Sequence, residues 1–189
     1  MAYLSRSQIQ QMGFKYIGEN VLISNRSAIY DAERIVLHEN TRIDDFCLLS
    51  GMLEIGSFTH LAPYTMLAGG LGGIHIGKYV TFAYGVKVFS ESDDYTGDSL
   101  VGSLIPRHLK HGLTVNNILI QDYCILGTNS TLMPGAELGE GVALGAHSLV
   151  KKSLSPWGIY CGNPATWLCA RSKNVKEKFL NHCSARPEN

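Results

Sequence analysis

The sequence predicts an all-β solenoid, a short strand and a corner repeated around a prism, on three observations. Ile120, Leu126, Leu132, Leu138, Leu144 and Val150 fall six positions apart. Since about half of ordinary residues are apolar, six such hits at a fixed spacing arise by chance only about once in sixty windows. Four residues after each of the first five stands a small or short side chain: Cys124, Ser130, Ala136, Val142 and Ser148. Gly18, Gly56, Gly77, Gly127, Gly139 and Gly145 each follow an inward aliphatic, where a chain turning at close quarters tolerates no large side chain. A period of six fits neither the helical 3.6 nor the alternation of a twisted strand. Strands of a sandwich would alternate without a fixed repeat.

The chain opens on a polar amphipathic stretch that predicts a short helix over residues 5 to 12. Repeat coils follow at Ile17, Ile23 and Ile29, then Leu37, Ile43, Leu49, Ile55, Leu61 and Leu67, then Ile76, Phe82 and Val88, with small register breaks between the runs. Residues 89 to 117 lose the period and are rich in Ser, Asp, Gly and His, so they must leave the prism as a loop excursion. Long excursions of this kind in compact domains are usually functional or disordered. The repeat resumes at Ile118 and stops near Ser153. Pro156, the Gly162-Asn163-Pro164-Ala165 stretch and a helix from about Ala170 to Leu180 then form a C-terminal cap, about 154–189, over an otherwise open strand stack. At 189 residues the whole chain, 1–189, reads as a single domain with ample core.

Composition narrows the function classes. Equal numbers of acidic and basic residues, 16 of each, leave no basic stripe, so nucleic-acid or membrane-surface binding gains no support. The first residues contain no apolar run long enough for a signal or a membrane span, which predicts a soluble, cytoplasmic protein. Five cysteines without paired spacing, with Cys47 and Cys124 at small positions of the repeat, read as reduced packing thiols rather than disulfides. The histidines lack close metal-ligand spacing apart from His108 and His111, so no metal is expected.

The hexads Leu126-Gly127-x-x-Ser130, Leu138-Gly139-x-x-Val142 and Leu144-Gly145-x-x-Ser148, the excursion before the last coils and the closing Gly162-Asn163-Pro164-Ala165 resemble the hexapeptide-repeat acyltransferases over nearly the whole chain. The resemblance implies a left-handed parallel β-helix, a homotrimer with active sites between subunits, and an acyl-coenzyme A donor, acetyl-CoA by default, in the groove between prisms. Handedness comes from the resemblance alone, because spacing does not encode it and the usual crossover preference is opposite. Relatives that are γ-class carbonic anhydrases need metal-binding histidines, and no comparable set is evident here.

Sugar O-acetyltransferases of the galactoside and maltose type carry a catalytic His where the chain leaves the prism; here that place reads Ser90-Glu91-Ser92-Asp93-Asp94-Tyr95. A sugar hydroxyl needs a base matched to neutral pH, which a carboxylate is not. A primary amine, once neutral, needs mainly positioning against the thioester. Met12 to Phe14, Arg42-Ile43-Asp44-Asp45-Phe46-Cys47 and Ser92-Asp93-Asp94-Tyr95 are similar to the branch that N-acylates nucleotide-linked amino sugars, above all the dTDP-4-amino-4,6-dideoxyglucose N-acyltransferases of surface polysaccharide (O-antigen) biosynthesis.

By that resemblance Asp94, with Asp93 beside it, holds the sugar ammonium and takes its proton; otherwise the two acids merely start a turn. Gly127, Thr128, Gly145 and Ala146 align with the pantetheine arm, where small residues let a ligand approach the main chain. Lys151, Lys152 and Arg171 supply charge for the coenzyme's phosphates, or form a solvated surface. Tyr84, Tyr95, Arg107 and His111 are the acceptor-binding candidates, and His147 reads as solvent-facing. Two other classes stay open: a sugar O-acetyltransferase in which His108 or His111 folds back as base, and a non-enzymatic binding role, which loss of the coenzyme groove would support.

Overall fold

The computed structural model describes residues 2–176 and 178. Strands of two to four residues pair in parallel with the strand one coil away, so three sheets form the faces of a prism. The first face runs from Tyr16–Ile17 through Ile35–Leu37, Leu53–Ile55, Ile74–Ile76 and Ile118–Ile120 to Glu137–Leu138. The second begins at Leu22–Ile23 and ends at Gly158–Cys161 and Thr166–Ala170; the third lies between Ala28–Ile29 and Leu149–Val150. This is the left-handed parallel β-helix that the repeat and its resemblance predict.

In-register parallel pairing is what turns a six-residue period into a core. Ile55, Ile76 and Ile120 are mutual register partners, as are Leu61, Phe82 and Leu126, and Leu67, Val88 and Leu132. Each inward side chain therefore stacks on the one a coil below, and nearly all of them are fully buried. The small positions are buried too, with Cys47, Cys124, Ser130, Ala136 and Ser148 filling the prism's corners. Burial pushes the Cys47 thiol up to about 11 and that of Cys124 up to about 12, so both stay protonated packing groups.

The glycines after the inward aliphatics turn out to serve a different purpose from turning. None of Gly18, Gly56, Gly77, Gly127, Gly139 and Gly145 holds a positive φ. A Cβ at Gly127 would come within 2.6 Å of the Ala146 nitrogen and the Gly145 carbonyl carbon, so the stacked coil itself excludes a side chain. The left-handed residue sits two positions later: Asn20, Phe58, Tyr79, Asn129, Gly141 and His147. A left-handed conformation costs an L residue about 1–2 kcal/mol, and stacked rings return about 0.5–1.5 kcal/mol per pair. Along the edge between the first and second faces, Phe58, Tyr79 and Tyr123 form such a ladder, with centroids 5.1 and 5.3 Å apart, and Trp157 extends it.

The ends are finished locally. The N-terminal helix is Arg6–Gln11, capped by Ser5 and Gln8 in a reciprocal capping box, with Ile9 buried. At the other end Gly158–Cys161 adds to the second face, and Thr166–Ala170 returns antiparallel on it around Gly162 to Ala165. The expected helix start at Ala170 is thus the end of a strand, for which Thr166 and Trp167 are suited and which covers an open edge. Helical conformation begins at 174, and residues 177 and 179 to 180 of the expected helix lie outside those described. Among the described residues no helix is long and apolar enough to cross a membrane.

Candidate active site

The chain leaves the prism after Phe89 and rejoins it at Ile118. Between them Glu91–Ser92 pairs antiparallel with Thr114–Val115, so the excursion has a two-stranded stem, with a 3-10 turn at Arg107–Leu109. Asp93 and Asp94 stand directly beyond the stem, where they organise the turn over residues 94 to 102.

Asp93 is an ion-paired anchor. Its Oδ1 lies 2.6 Å from the Lys110 ammonium, whose side chain is only 14% exposed, and its Oδ2 accepts the Gly102 N–H at 3.0 Å. The Lys110 contact, followed by the Gly102 amide, holds the Asp93 carboxyl below the ordinary range. Asp94 is tied more fully. Its Oδ1 accepts from the Thr96 N–H and hydroxyl at 2.8 and 2.7 Å, and its Oδ2 from the Asp98 and Ser99 N–H groups, both at 2.9 Å. These bonds, that of the Thr96 amide foremost, pull its carboxyl down to about 2. A carboxylate this acidic attracts an ammonium but is a poor proton acceptor. The four donors hold Asp94 ionised, which suits it to attract a cation.

A cavity of about 510 Å³ adjoins this turn, lined by Ser92, Tyr95, Thr114, Met133, Pro134, Leu149 and Lys151. It brings Tyr95 and Lys151 together over an apolar floor beside Asp93 and Asp94, while Lys152 is exposed next to it. Arg107 lies 3.5 Å from Glu91, whose Oε1 accepts the Leu71 N–H, so it braces the stem. His111 and His108 are exposed, and among the described residues no carboxylate orients either ring.

The other candidates lie at the edge between the second and third faces. Tyr84 and Thr128 occupy successive coils, the Asn129 N–H bonding the Tyr84 carbonyl and the His147 N–H that of Thr128. Ala146 is exposed in the coil beyond. Gly127 and Gly145 are there as well, with close coil stacking as the reason for their size: a Cβ at Gly145 would meet Cys161 Cβ at 2.9 Å. Arg171 is elsewhere. Its guanidinium donates to the Tyr123 and Gly141 carbonyls at 2.7 and 3.0 Å on the edge between the first and second faces. The reason is that two carbonyl groups at the corner offer fixed acceptors to a long planar donor.

Sequence reasoning missed the roles of Lys110 and Gly112. A Cβ at Gly112 would come within 2.7 Å of Asp94 Cβ, so this glycine lets the returning strand pass the carboxylate. Among the described residues no group of three or more His, Cys, Asp or Glu side chains could hold a metal ion.

No family model matches the chain. It is 33% identical over 180 residues to a dTDP-4-amino-4,6-dideoxy-D-glucose acyltransferase of Escherichia coli, covering 94% of this chain and 93% of that one. It also superposes on a variant of AntD, an N-acyltransferase from Bacillus cereus solved with dTDP-4-amino-4,6-dideoxyglucose and coenzyme A. That match has a TM-score of 0.95 at 37% identity, covering 98% and 99% of the two chains. AntD with dTDP and 3-hydroxybutyryl-CoA gives a TM-score of 0.92 at 36% identity over 97% and 98%. A hexapeptide-repeat acetyltransferase of Vibrio cholerae, at 18% identity and a TM-score of 0.63 over 89% and 77%, shares the fold.

Proposed function

The chain belongs to the hexapeptide-repeat acyltransferase family that includes the dTDP-4-amino-4,6-dideoxyglucose acyltransferase of Escherichia coli, and from that premise we propose that it transfers an acyl group from coenzyme A to the amino group of a dTDP-linked 4-amino-4,6-dideoxy sugar. That the protein is an acyltransferase follows from the family; the acceptor, an acetyl donor, a homotrimer and a cytoplasmic role in surface polysaccharide synthesis are the proposal. The observation that supports it best is a fixed negative charge, Asp94, beside an apolar cavity rimmed by Tyr95 and Lys151.

In the reaction the amine nitrogen bonds to the thioester carbonyl, the carbon–sulfur bond breaks, and the nitrogen's proton ends on the departing thiolate. Asp94 draws in the acceptor's ammonium, which releases one proton to solvent water to give the neutral amine that attacks, and Asp93 with Lys110 keeps the turn in place. Holding two reactants in attack geometry is by itself worth about 7–11 kcal/mol of barrier, and a neutral amine needs little further activation. Lys151 and Lys152 face the coenzyme's phosphates, and backbone groups at Thr128 and Ala146 meet its pantetheine arm. Arg171 donates from one guanidinium nitrogen to two backbone carbonyls, and its remaining N–H groups carry charge for the coenzyme's phosphates.

The test is a panel of acyl-CoA donors, acetyl and 3-hydroxybutyryl among them, against dTDP-4-amino-4,6-dideoxyglucose and its 4-hydroxy counterpart, read by mass spectrometry. Acylation of the amine alone is expected. Acylation of the hydroxyl counterpart, lost in His111→Ala or His108→Ala, would establish the O-acetyltransferase alternative instead. Light scattering checks the trimer, and a fully active monomer would remove the shared site.

A further inference from the structure

The excursion grows from the corner between the third and first faces, and one coil earlier the same corner is turned by residues 69 to 73, all glycine but Leu71. Register ties the two corners together: Phe89 pairs with Ala68 where the chain leaves, and Ile118 with Ile74 where it returns. Hydrogen bonds then seat both limbs of the excursion on that corner. The Ser90 N–H donates to the Ala68 carbonyl at 3.1 Å, and its buried hydroxyl to that of Gly69 at 2.6 Å. On the returning limb the Ile118 N–H donates to the Gly73 carbonyl at 3.0 Å, and the Asn116 N–H closes the root onto Ser90 at 3.0 Å.

Beyond this root, Glu91 reaches back with its side chain. Its Oε1 accepts the Leu71 N–H at 2.7 Å and lies 3.5 Å from the Arg107 guanidinium. The carboxylate occupies a socket that glycine leaves open. A Cβ at Gly70, whose φ is +41°, would come within 2.6 Å of both the Glu91 carboxyl carbon and its Oε1. What would move is the flexible carboxylate and not the backbone. A Cβ at Gly72 would strike the Asn116 carbonyl oxygen at 2.7 Å and that of Ser90 at 2.9 Å. The floor of the socket is fixed, since Gly51 lies beneath it so closely that its own Cβ would stand 2.3 Å from the Gly70 nitrogen. Turning the corner does not call for so many glycines: the corner after the excursion, residues 133 to 136, contains one. A partly exposed carboxylate adds little stability, so what this contact fixes is direction.

A two-stranded stem rooted in backbone bonds alone is free to rock about its root. Asp94 stands beyond Glu91 by about 10 Å of extended chain, so a tilt of about ten degrees at the root moves it by about 1–2 Å. A misplacement of about 1 Å can cost about a hundredfold in rate. We propose that Glu91, seated in the glycine socket of residues 69 to 73, is a positioning residue: it sets the angle at which the excursion leaves the prism and so the place of Asp94. The glycine-rich stretch serves to admit that carboxylate. The inference rests on the proposed N-acylation for what Asp94 meets.

The experiment is a double-mutant cycle of Glu91→Ala and Gly70→Ala in the full chain, read by kinetics on the amino sugar nucleotide and by amide hydrogen exchange. Each single change is expected to lower the acceptor's kcat/KM about tenfold and to speed exchange across residues 90 to 117 while the coils stay protected. The KM of the acyl donor should hold in both. Glu91→Ala should melt close to wild type, and Gly70→Ala a few degrees lower in either background because of its left-handed φ. The double variant should turn over no more slowly than Glu91→Ala, since the added methyl group then has no carboxylate to displace. Glu91→Gln keeps an oxygen for the Leu71 N–H and should restore most of the activity. In an active enzyme, wild-type kcat/KM in Glu91→Ala would overturn the proposal. So would full additivity of the two changes, or a joint fall in donor affinity and melting temperature in Glu91→Ala, which would make Glu91 a general structural contact. If the wild type acylates no amino sugar, the proposed function fails, and exchange decides the inference: faster exchange confined to residues 90 to 117 in Glu91→Ala keeps it, and unchanged exchange removes it.

Discussion

The coils and the excursion are held together by opposite means. In the coils each inward aliphatic stacks on a like residue one turn away, and every strand between the two ends is bonded on both sides by its neighbours, so position follows from periodicity. In the excursion, order comes from charge: Asp93 with Lys110, Glu91 with Arg107, and Asp94 gathering the amides of Thr96, Asp98 and Ser99. A core of stacked hydrocarbon is tolerant of chemistry at its surface but offers no charge. A polar turn offers charge but needs its own carboxylates to hold its shape, so groups suited to catalysis are also the groups that build it.

That difference is testable, beginning with the largest effect. Asp94→Asn removes a charge-assisted contact to the acceptor and should lower amine acylation by about ten to a hundredfold while thermal unfolding and coenzyme binding stay near wild type. Turnover like wild type would place the chemistry outside the excursion. The pH profile sharpens this. With its carboxyl pulled down to about 2, Asp94 keeps its charge above the ordinary carboxylate range and loses it only as pH falls toward that value. Activity rising from about pH 6 to about pH 9 must then follow the acceptor amine, whereas a limb centred near about 6.5 would indicate a histidine.

A coil change should do the opposite of an excursion change. Gly127→Val drives a side chain into the Ala146 and Gly145 backbone, which should cost about 3 kcal/mol or more and lower the melting temperature by about 10 °C. An unchanged melting temperature would mean that the coils are less tightly stacked than they stand here. Lys110→Met leaves the buried Asp93 Oδ1 without its ammonium; we expect about a tenfold loss of turnover from a loosened turn, partly restored by Lys110→Arg, with global unfolding unmoved. Lys151→Met should raise the donor's KM by less than about tenfold and leave the acceptor's unchanged. Smallest of all, Lys176→Ala removes a half-exposed pair with Glu140, worth at most about 1 kcal/mol and without effect on activity.

Much of this was legible in the residues. The hexads placed the inward column correctly because a parallel ladder aligns like with like, and loss of the period marked the excursion because residues that leave the prism no longer need to fill it. Asp93 and Asp94 could be singled out as adjacent acids at the exit. Their partners could not, since Lys110 and Gly102 are tied to Asp93 by the path of the loop and by no repeat. The carbonyl partners of Arg171 were not legible either, because a basic residue looks alike in sequence whether it meets a phosphate or two backbone carbonyls.

By itself, then, the sequence determined the solenoid, its interruption and its family, because hydrophobic periodicity and small corner positions act through local stacking that repeats identically in every coil. Only the tertiary structure decided what each polar group does: that Asp94 gathers the amides of Thr96, Asp98 and Ser99, that Gly127 makes room for a coil, and that Arg171 meets two backbone carbonyls. The physical reason is that hydrogen bonds and ion pairs are directional and short-ranged, so their partners are set by where the chain passes in space.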